Sequence, residues 1–227
     1  MPLRPQRNQG LTLIEVLVAL SIMAVLALLS WRVIDGMAKT QTIARDHSDH
    51  WLNWQTTMAQ WQTDLDAMAD AGTVGPLDFD GRVLRLTRRD SANDARPEMR
   101  VVAWTVQTAP SGTTPHLMRW TSRPFHDQTE LQNAWNAALA WGQNTSTATA
   151  GQALPLVAVQ SWSLFYHRGG SWTNPLSDAG PDNTPNPQRR RAPDGIRLTL
   201  TLPETGLSTG TLSKDWVNPT VGGDKTQ

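Results

Sequence analysis

Gly206-Leu207-Ser208-Thr209-Gly210 has the G-x-S-x-G spacing of a nucleophile elbow, in which a tight strand-to-helix turn exposes a serine hydroxyl. That chemistry needs a strand before the motif and a helix after it. Here Pro203 stands just upstream and a second strand pattern follows, so the five residues read as a hairpin turn. His47, His50, His116, His126 and His167 show no H-E-x-x-H or related metal spacing. His47 and His50 lie one helical turn apart, but Asp46 and Asp49 beside them make an ordinary polar face. Asp178 and Asp182 lack the D-x-D-x-D-G run and terminal Glu of a calcium loop. Asp64-x-Asp66 and Asp78-x-Asp80 read as surface acids rather than paired catalytic carboxylates. The chain has no cysteine, which removes disulfides, thiol catalysis and cysteine metal sites together. The expectation is no catalytic residue, no metal, no cofactor and no enzymatic activity.

One ionisable residue stands out. Glu15 is the only one in the apolar run Leu11–Trp31. That run is about 21 residues, and at ~1.5 Å per residue a helix would cover roughly 30 Å, the thickness of a bilayer core. An acid at the centre of such a helix costs a few kcal/mol, so a partner is implied. The nearest candidate is the amine exposed if the chain were cut after Gly10. A secretory signal peptide also has a basic front and an apolar middle, but its core runs about 7–15 residues and ends in an A-x-A-like site. A plain single-pass anchor has the right length and leaves Glu15 unexplained. A cleaved assembly anchor accounts for both.

The elements that would position these residues follow from periodicity. Trp51, Trp54, Met58, Trp61, Leu65 and Met68 are spaced 3, 4, 3, 4, 3, on one face of a helix running from Leu11 to about Asp70, with Gly72 as its stop. That stripe reads as core packing against a globular domain, with a coiled-coil seam to another subunit as the alternative. Beyond Gly72 the period becomes two. Strands are expected at Arg82–Thr87, around Val102, Trp104 and Val106, and at His116–Thr121 with Leu117 or Met118 inward. Asp127–Trp141 returns to helical spacing through Leu131, Trp135, Ala138 and Leu139, with Asp127 as N-terminal cap. Further strands are expected at Leu154–Val159, Trp162–Tyr166, Ile196–Leu202 and Leu212–Val217, with a Gly169-Gly170 turn leading to Trp172. The expected fold class is α+β, a long N-terminal helix packed on an antiparallel sheet domain.

Arg4, Arg7 and Gly10 followed by Leu-Thr-Leu-Ile-Glu-Val-Leu-Val-Ala-Leu resemble the leader of type IV prepilins and type II secretion pseudopilins. The resemblance implies that a prepilin peptidase cuts between Gly10 and Leu11 and N-methylates Leu11. Glu15 then becomes the fifth mature residue and an assembly contact for a neighbouring subunit's amine. Leu11 departs from the family's usual phenylalanine. The basic leader implies a cytoplasmic N-terminus and a periplasmic C-terminal domain, anchored by one pass through the inner membrane. The implied organisation is a leader over 1–10, a membrane span over 11–31, an amphipathic continuation over 32–71, and a sheet domain over 72–227 with a surface loop at 174–193.

Trp31-Arg32-Val33-Ile34-Asp35-Gly36, Trp61-Gln-Thr-Asp64-Leu65 and the order Leu154–Tyr166 then Ile196–Leu202 resemble the J-type minor pseudopilin of type II secretion. That resemblance implies I- and K-type partners, with the H-type and the major pseudopilin beyond them, in a tip complex that primes assembly for protein export. A W-type minor pilin and a membrane-anchored binding module are the alternatives. The formal net charge is zero, and no nucleic-acid partner is expected.

Overall fold

The computed structural model describes residues 12–90, 98–108, 112–143, 153–177, 191–204 and 209–222. The chain divides into two compact units, Met1–His50 and Trp51–Gln227. Helix α1 spans Leu13–Asp66. In the first unit it is exposed at every described residue up to Asp49. Its hydroxyls turn back onto the helix, as where Ser21 Oγ donates to the Leu17 carbonyl at 2.8 Å and Thr40 Oγ1 to that of Gly36 at 2.9 Å. Such bonds satisfy a polar side chain without a partner outside the helix.

The second unit adds strands β1 (Leu77–Phe79), β2 (Val83–Asp90), β3 (Glu98–Thr108) and β4 (Pro115–Thr121), then helix α2 (Gln128–Gln143). Strands β5 (Ala153–Ala158), β6 (Ser161–Arg168), β7 (Ser171–Thr173), β8 (Gly195–Thr201) and β9 (Thr211–Val217) complete it. All strand pairs are antiparallel, and they form two sheets rather than one: β1-β2-β3-β4-β5 and β7-β6-β8-β9. The chain changes sheets at Val159-Gln160, where the Val159 amide donates to the Pro115 carbonyl at 3.0 Å and the Gln160 amide to that of Thr201 at 2.8 Å. Adjacent residues thus join different sheets, a change that alternation within each strand does not announce.

Both sheets turn their apolar faces to the C-terminal part of α1. Trp54, Trp61 and Leu65 pack with Leu84 and Leu86, Val102 and Trp104, Leu164 and Tyr166, and Ile196, Leu198 and Leu200. Trp61 is fully buried and meets Trp104 edge-on, ring centroids 5.2 Å apart, the geometry that aromatic quadrupoles favour. A second core lies on the far side of the five-stranded sheet. There Val83, Val101, Ala103, Met118 and Trp120 meet Leu131, Trp135, Ala138 and Trp141 of α2. That sheet is therefore covered on both faces, so Leu117 and Met118 are both buried, one in each core. Asp127 caps α2 as expected, its Oδ1 accepting the Glu130 amide at 2.8 Å, while Glu130 takes the His126 amide at 2.8 Å.

Three expectations are corrected. The stripe loses Trp51, which is exposed, and α1 stops at Asp66 rather than about Asp70. Residues 67–69 are captured by β2 instead: the Ala69 amide donates to the Thr87 carbonyl and the Arg89 amide to the Ala67 carbonyl, both at 2.9 Å. Asp64 is not a surface acid; it is fully buried. Its Oδ2 accepts Trp104 Nε1 at 2.9 Å and Arg119 Nε at 2.7 Å. Its Oδ1 accepts Arg119 Nη2 at 2.9 Å, Gln60 Nε2 at 3.0 Å and Arg88 Nη1. Asp66 and Asp80 are exposed and Asp78 is half-buried against Arg85, with no carboxylate pair among them.

Two predictions follow from the five-stranded sheet. A Cβ on Gly142 would lie 2.0 Å from Val83 Cγ2, so α2 approaches β2 too closely for any side chain. Gly142→Ala should cost about 1–3 kcal/mol, read as a lower urea midpoint with the slope unchanged. At the β1–β2 turn, Asp80 Oδ1 accepts the amides of Arg82 at 2.8 Å and Val83 at 2.7 Å. Burial pushes this carboxyl up, but those amides, the Gln143 side chain and the Arg85 charge outweigh it, holding Asp80 below its ordinary 3.8. A depressed folded value means its stabilisation is complete above the ordinary value and disappears as pH falls through the folded one. Asp80→Asn should therefore lose stability near neutral pH and show a flatter decline below about pH 4, checked by Tm against pH.

Candidate functional site

The acid singled out by sequence sits in the first turn of α1. Thr12 precedes the helix and Glu15 is its third residue, the T-x-x-E arrangement of a capping box. The Thr12 amide and its hydroxyl each donate to Glu15 Oε2 at 2.8 Å. In return the Glu15 amide donates to Thr12 Oγ1 at 3.4 Å and to the Thr12 carbonyl at 3.1 Å. The first amides of a helix have no partner within it, and this box satisfies two of them. The carboxylate also lies at the positive end of the helix dipole. Thr12, three residues before Glu15, is the sequence signal of this cap, one that the acid considered alone does not reveal.

Among the described residues, no cation pairs with Glu15. The apolar side chains that follow it, Leu17, Val18, Leu20, Ile22, Val25, Leu26, Leu28 and Leu29, are exposed around the whole helix. Among the described residues α1 is the one helix long and apolar enough to cross a membrane. Exposure on every side distinguishes this N-terminal part of α1 from a core helix, which buries at least one face. Gly10 and Leu11, the expected cleavage and methylation positions, lie outside the described residues.

The other candidates do not converge. His47 is exposed on α1, and His116 Nδ1 lies 2.9 Å from the Thr114 carbonyl. His167 meets the edge of Trp172 at 5.1 Å. No group of three or more His, Asp or Glu among the described residues could hold a metal ion. Asp178, Asp182 and Ser208 lie outside the described residues. Around Ser208, β8 and β9 pair as far as Thr201 and Thr211, and the Leu202 amide donates to the Gly210 carbonyl at 2.8 Å. Gly210 has φ +106°, and a strand follows where a nucleophile elbow needs a helix.

The prokaryotic N-terminal methylation motif matches residues 5–31. The chain carries a prepilin-type signal. The match includes Gly10, Leu11, Thr12 and Glu15 and ends at Trp31, the end of the apolar run. This signal fits a pilin-type or pseudopilin-type protein, and the exposed apolar stretch of α1 behind it is able to serve as a membrane anchor. No curated protein matches the chain.

The cap gives a prediction that is independent of assembly. Thr12→Val keeps the side-chain shape and removes the hydroxyl. It should loosen the first turn by about 1 kcal/mol, seen as roughly fivefold faster amide exchange at Leu13–Val16 in micelles, with Leu26–Trp31 unchanged.

Proposed function

We propose that this chain is a minor pseudopilin of the type II secretion system, of the J type, acting in the tip complex that primes the pseudopilus for export of folded proteins. The observation that carries this reading is Glu15. It stands at the capped start of an apolar helix, five residues after a glycine and inside the matched methylation motif. A plain anchor has no use for a carboxylate there, since a charge in hydrocarbon is costly without a partner.

In this reading a prepilin peptidase cuts the bond between Gly10 and Leu11, and the new Leu11 amine is methylated. The amine remains a cation and supplies the charge that Glu15 lacks. Exchanged between subunits, that pair would set the axial position of one chain against the next. The leader is cytoplasmic, the helix from Leu11 to Trp31 lies in the inner membrane, and the two-sheet domain is periplasmic. The partners are the I- and K-type minor pseudopilins, with the H-type and the major pseudopilin beyond them. No step asks this chain for catalysis, metal or cofactor. The J-type assignment rests on the resemblance of residues 31–36 and 61–65 and on the order of strands. A W-type minor pilin shares the N-terminal signal, and the experiment must separate the two.

Mass spectrometry of the chain expressed with a prepilin peptidase should find a methylated N-terminal Leu11. Gly10→Val should leave Met1 in place. Glu15→Val should be processed normally yet fail to enter the filament. Full-length chain in detergent should co-purify with I- and K-type subunits; incorporation into a type IV pilus without binding either would favour the W-type reading. An unprocessed wild-type chain ends both.

A further inference from the structure

Asp64 and Asp66 are two residues apart, which places them roughly 200° apart around α1. Their hydrogen bonds accordingly go to different sheets. Asp64 collects donors from β2, β3 and β4 of the five-stranded sheet. Asp66 Oδ1 accepts Trp216 Nε1 of β9 at 2.7 Å, reaching the four-stranded sheet. Trp216 is itself buried, so its indole N–H needs an acceptor, and Asp66 provides one. Among the described residues the two ties are unequal. The five-stranded sheet is held a second time, by the backbone bonds of residues 67–69 to β2. The four-stranded sheet meets the end of the helix through apolar packing and the Asp66–Trp216 bond.

We propose that Asp64-x-Asp66 is a two-sided clamp, a pair of positioning residues through which the C-terminal turns of α1 carry both sheets during assembly. This rests on the reading of the chain as a filament subunit. A subunit drawn into a filament by its helix must bring its domain along. Apolar contacts are non-directional and tolerate rotation of a helix between two sheets. Charge-assisted hydrogen bonds have fixed directions, and two of them on opposite sides of one helix oppose rotation either way. The unequal ties make the four-stranded sheet the one that loosens first when its side of the clamp is cut.

The test is hydrogen exchange on the full chain in detergent, with processing and filament incorporation read in parallel. Asp66→Ala and Trp216→Phe remove the same bond from opposite ends, and each should speed exchange in β8 and β9 about tenfold while β2–β4 stay unchanged. The double variant should add nothing beyond either single one, because they share one interaction. Trp104→Phe, which takes one donor from Asp64 and leaves a smaller aromatic ring beside Trp61, should loosen β2–β4 and leave β8–β9 alone. All three should be processed at the wild-type rate and incorporated less. Exchange that rises in both sheets together, or in neither, overturns the clamp. Local loosening with wild-type incorporation overturns its role in assembly. A wild-type chain that is never processed sinks the filament reading and with it that role, while the exchange comparison still decides the clamp.

Discussion

A fully buried carboxylate has to be reconciled with the free energy of removing it from water, and Asp64 governs how this domain does so. Each oxygen takes several donors, and two guanidiniums, Arg88 and Arg119, stand against a single negative charge. Their own side chains keep a small exposure, so the second positive charge is not sealed in with the first. Against a well-packed leucine such a cluster gives little net stability. With one member removed it costs about 3–5 kcal/mol, because the remaining charges lose their partners. What the cluster adds is direction. Donors from three neighbouring strands and from Gln60 on the helix itself meet at one point, and only one level and rotation of α1 satisfies them all.

The rest of the second unit is arranged around that constraint. Arg88 follows Leu84 and Leu86 at intervals of two, and Arg119 follows Leu117 in the same way, so both lie on the faces whose apolar residues meet α1. Trp104 does two jobs from one position, its ring against Trp61 and its N–H on Asp64. Of the other tryptophans, Trp120 and Trp141 stack across the second core at 6.3 Å, and Arg85 lies 5.0 Å from the centre of the Trp135 ring. The exposed edges are guarded in different ways. Pro155 stands in edge strand β5, and Lys214 alternates with Leu212 and Trp216 on the inward side of edge strand β9. Both features discourage a foreign strand from pairing there.

Periodicity made most of these elements legible. The amphipathic part of α1, the capped helix α2 and seven of the nine strands among the described residues are where apolar spacing places them. β1 and β7, each only three residues long, offer too few positions for an alternation to register. Charge misled where phase did not. Asp64 lies three residues after Trp61 and one before Leu65, squarely on the buried stripe, yet its neighbour Asp66 made the pair look solvated. The corresponding signal was two arginines in phase with inward leucines, which a strand-by-strand reading treats as interruptions. The end of α1 was misplaced for a related reason: no breaker stops the helix at Asp66, and the cause is capture of the next residues by β2, a long-range contact. Local sequence does not encode it.

Glu15 and Asp64 are two answers to the same physical problem, and the contrast says what each is for. Asp64 is met by more positive charge than it carries, from residues that other packing already fixes, so it has nothing left to offer a partner. Among the described residues Glu15 is met by Thr12 alone, through neutral donors that both fall on Oε2. Those bonds orient the carboxylate and stabilise the helix start without cancelling its charge. In water that is an ordinary cap. In hydrocarbon an oriented, uncancelled carboxylate retains most of its attraction for a cation, because the low dielectric that penalises it alone strengthens the pair. On the proposed reading, the amine produced by a cut after Gly10 would appear four residues before it, on the same chain and on every neighbouring copy. A chain in which one acid is saturated and the other, among the described residues, oriented but uncompensated separates two tasks: the first holds the domain together, and the second, on the proposed reading, is kept for assembly.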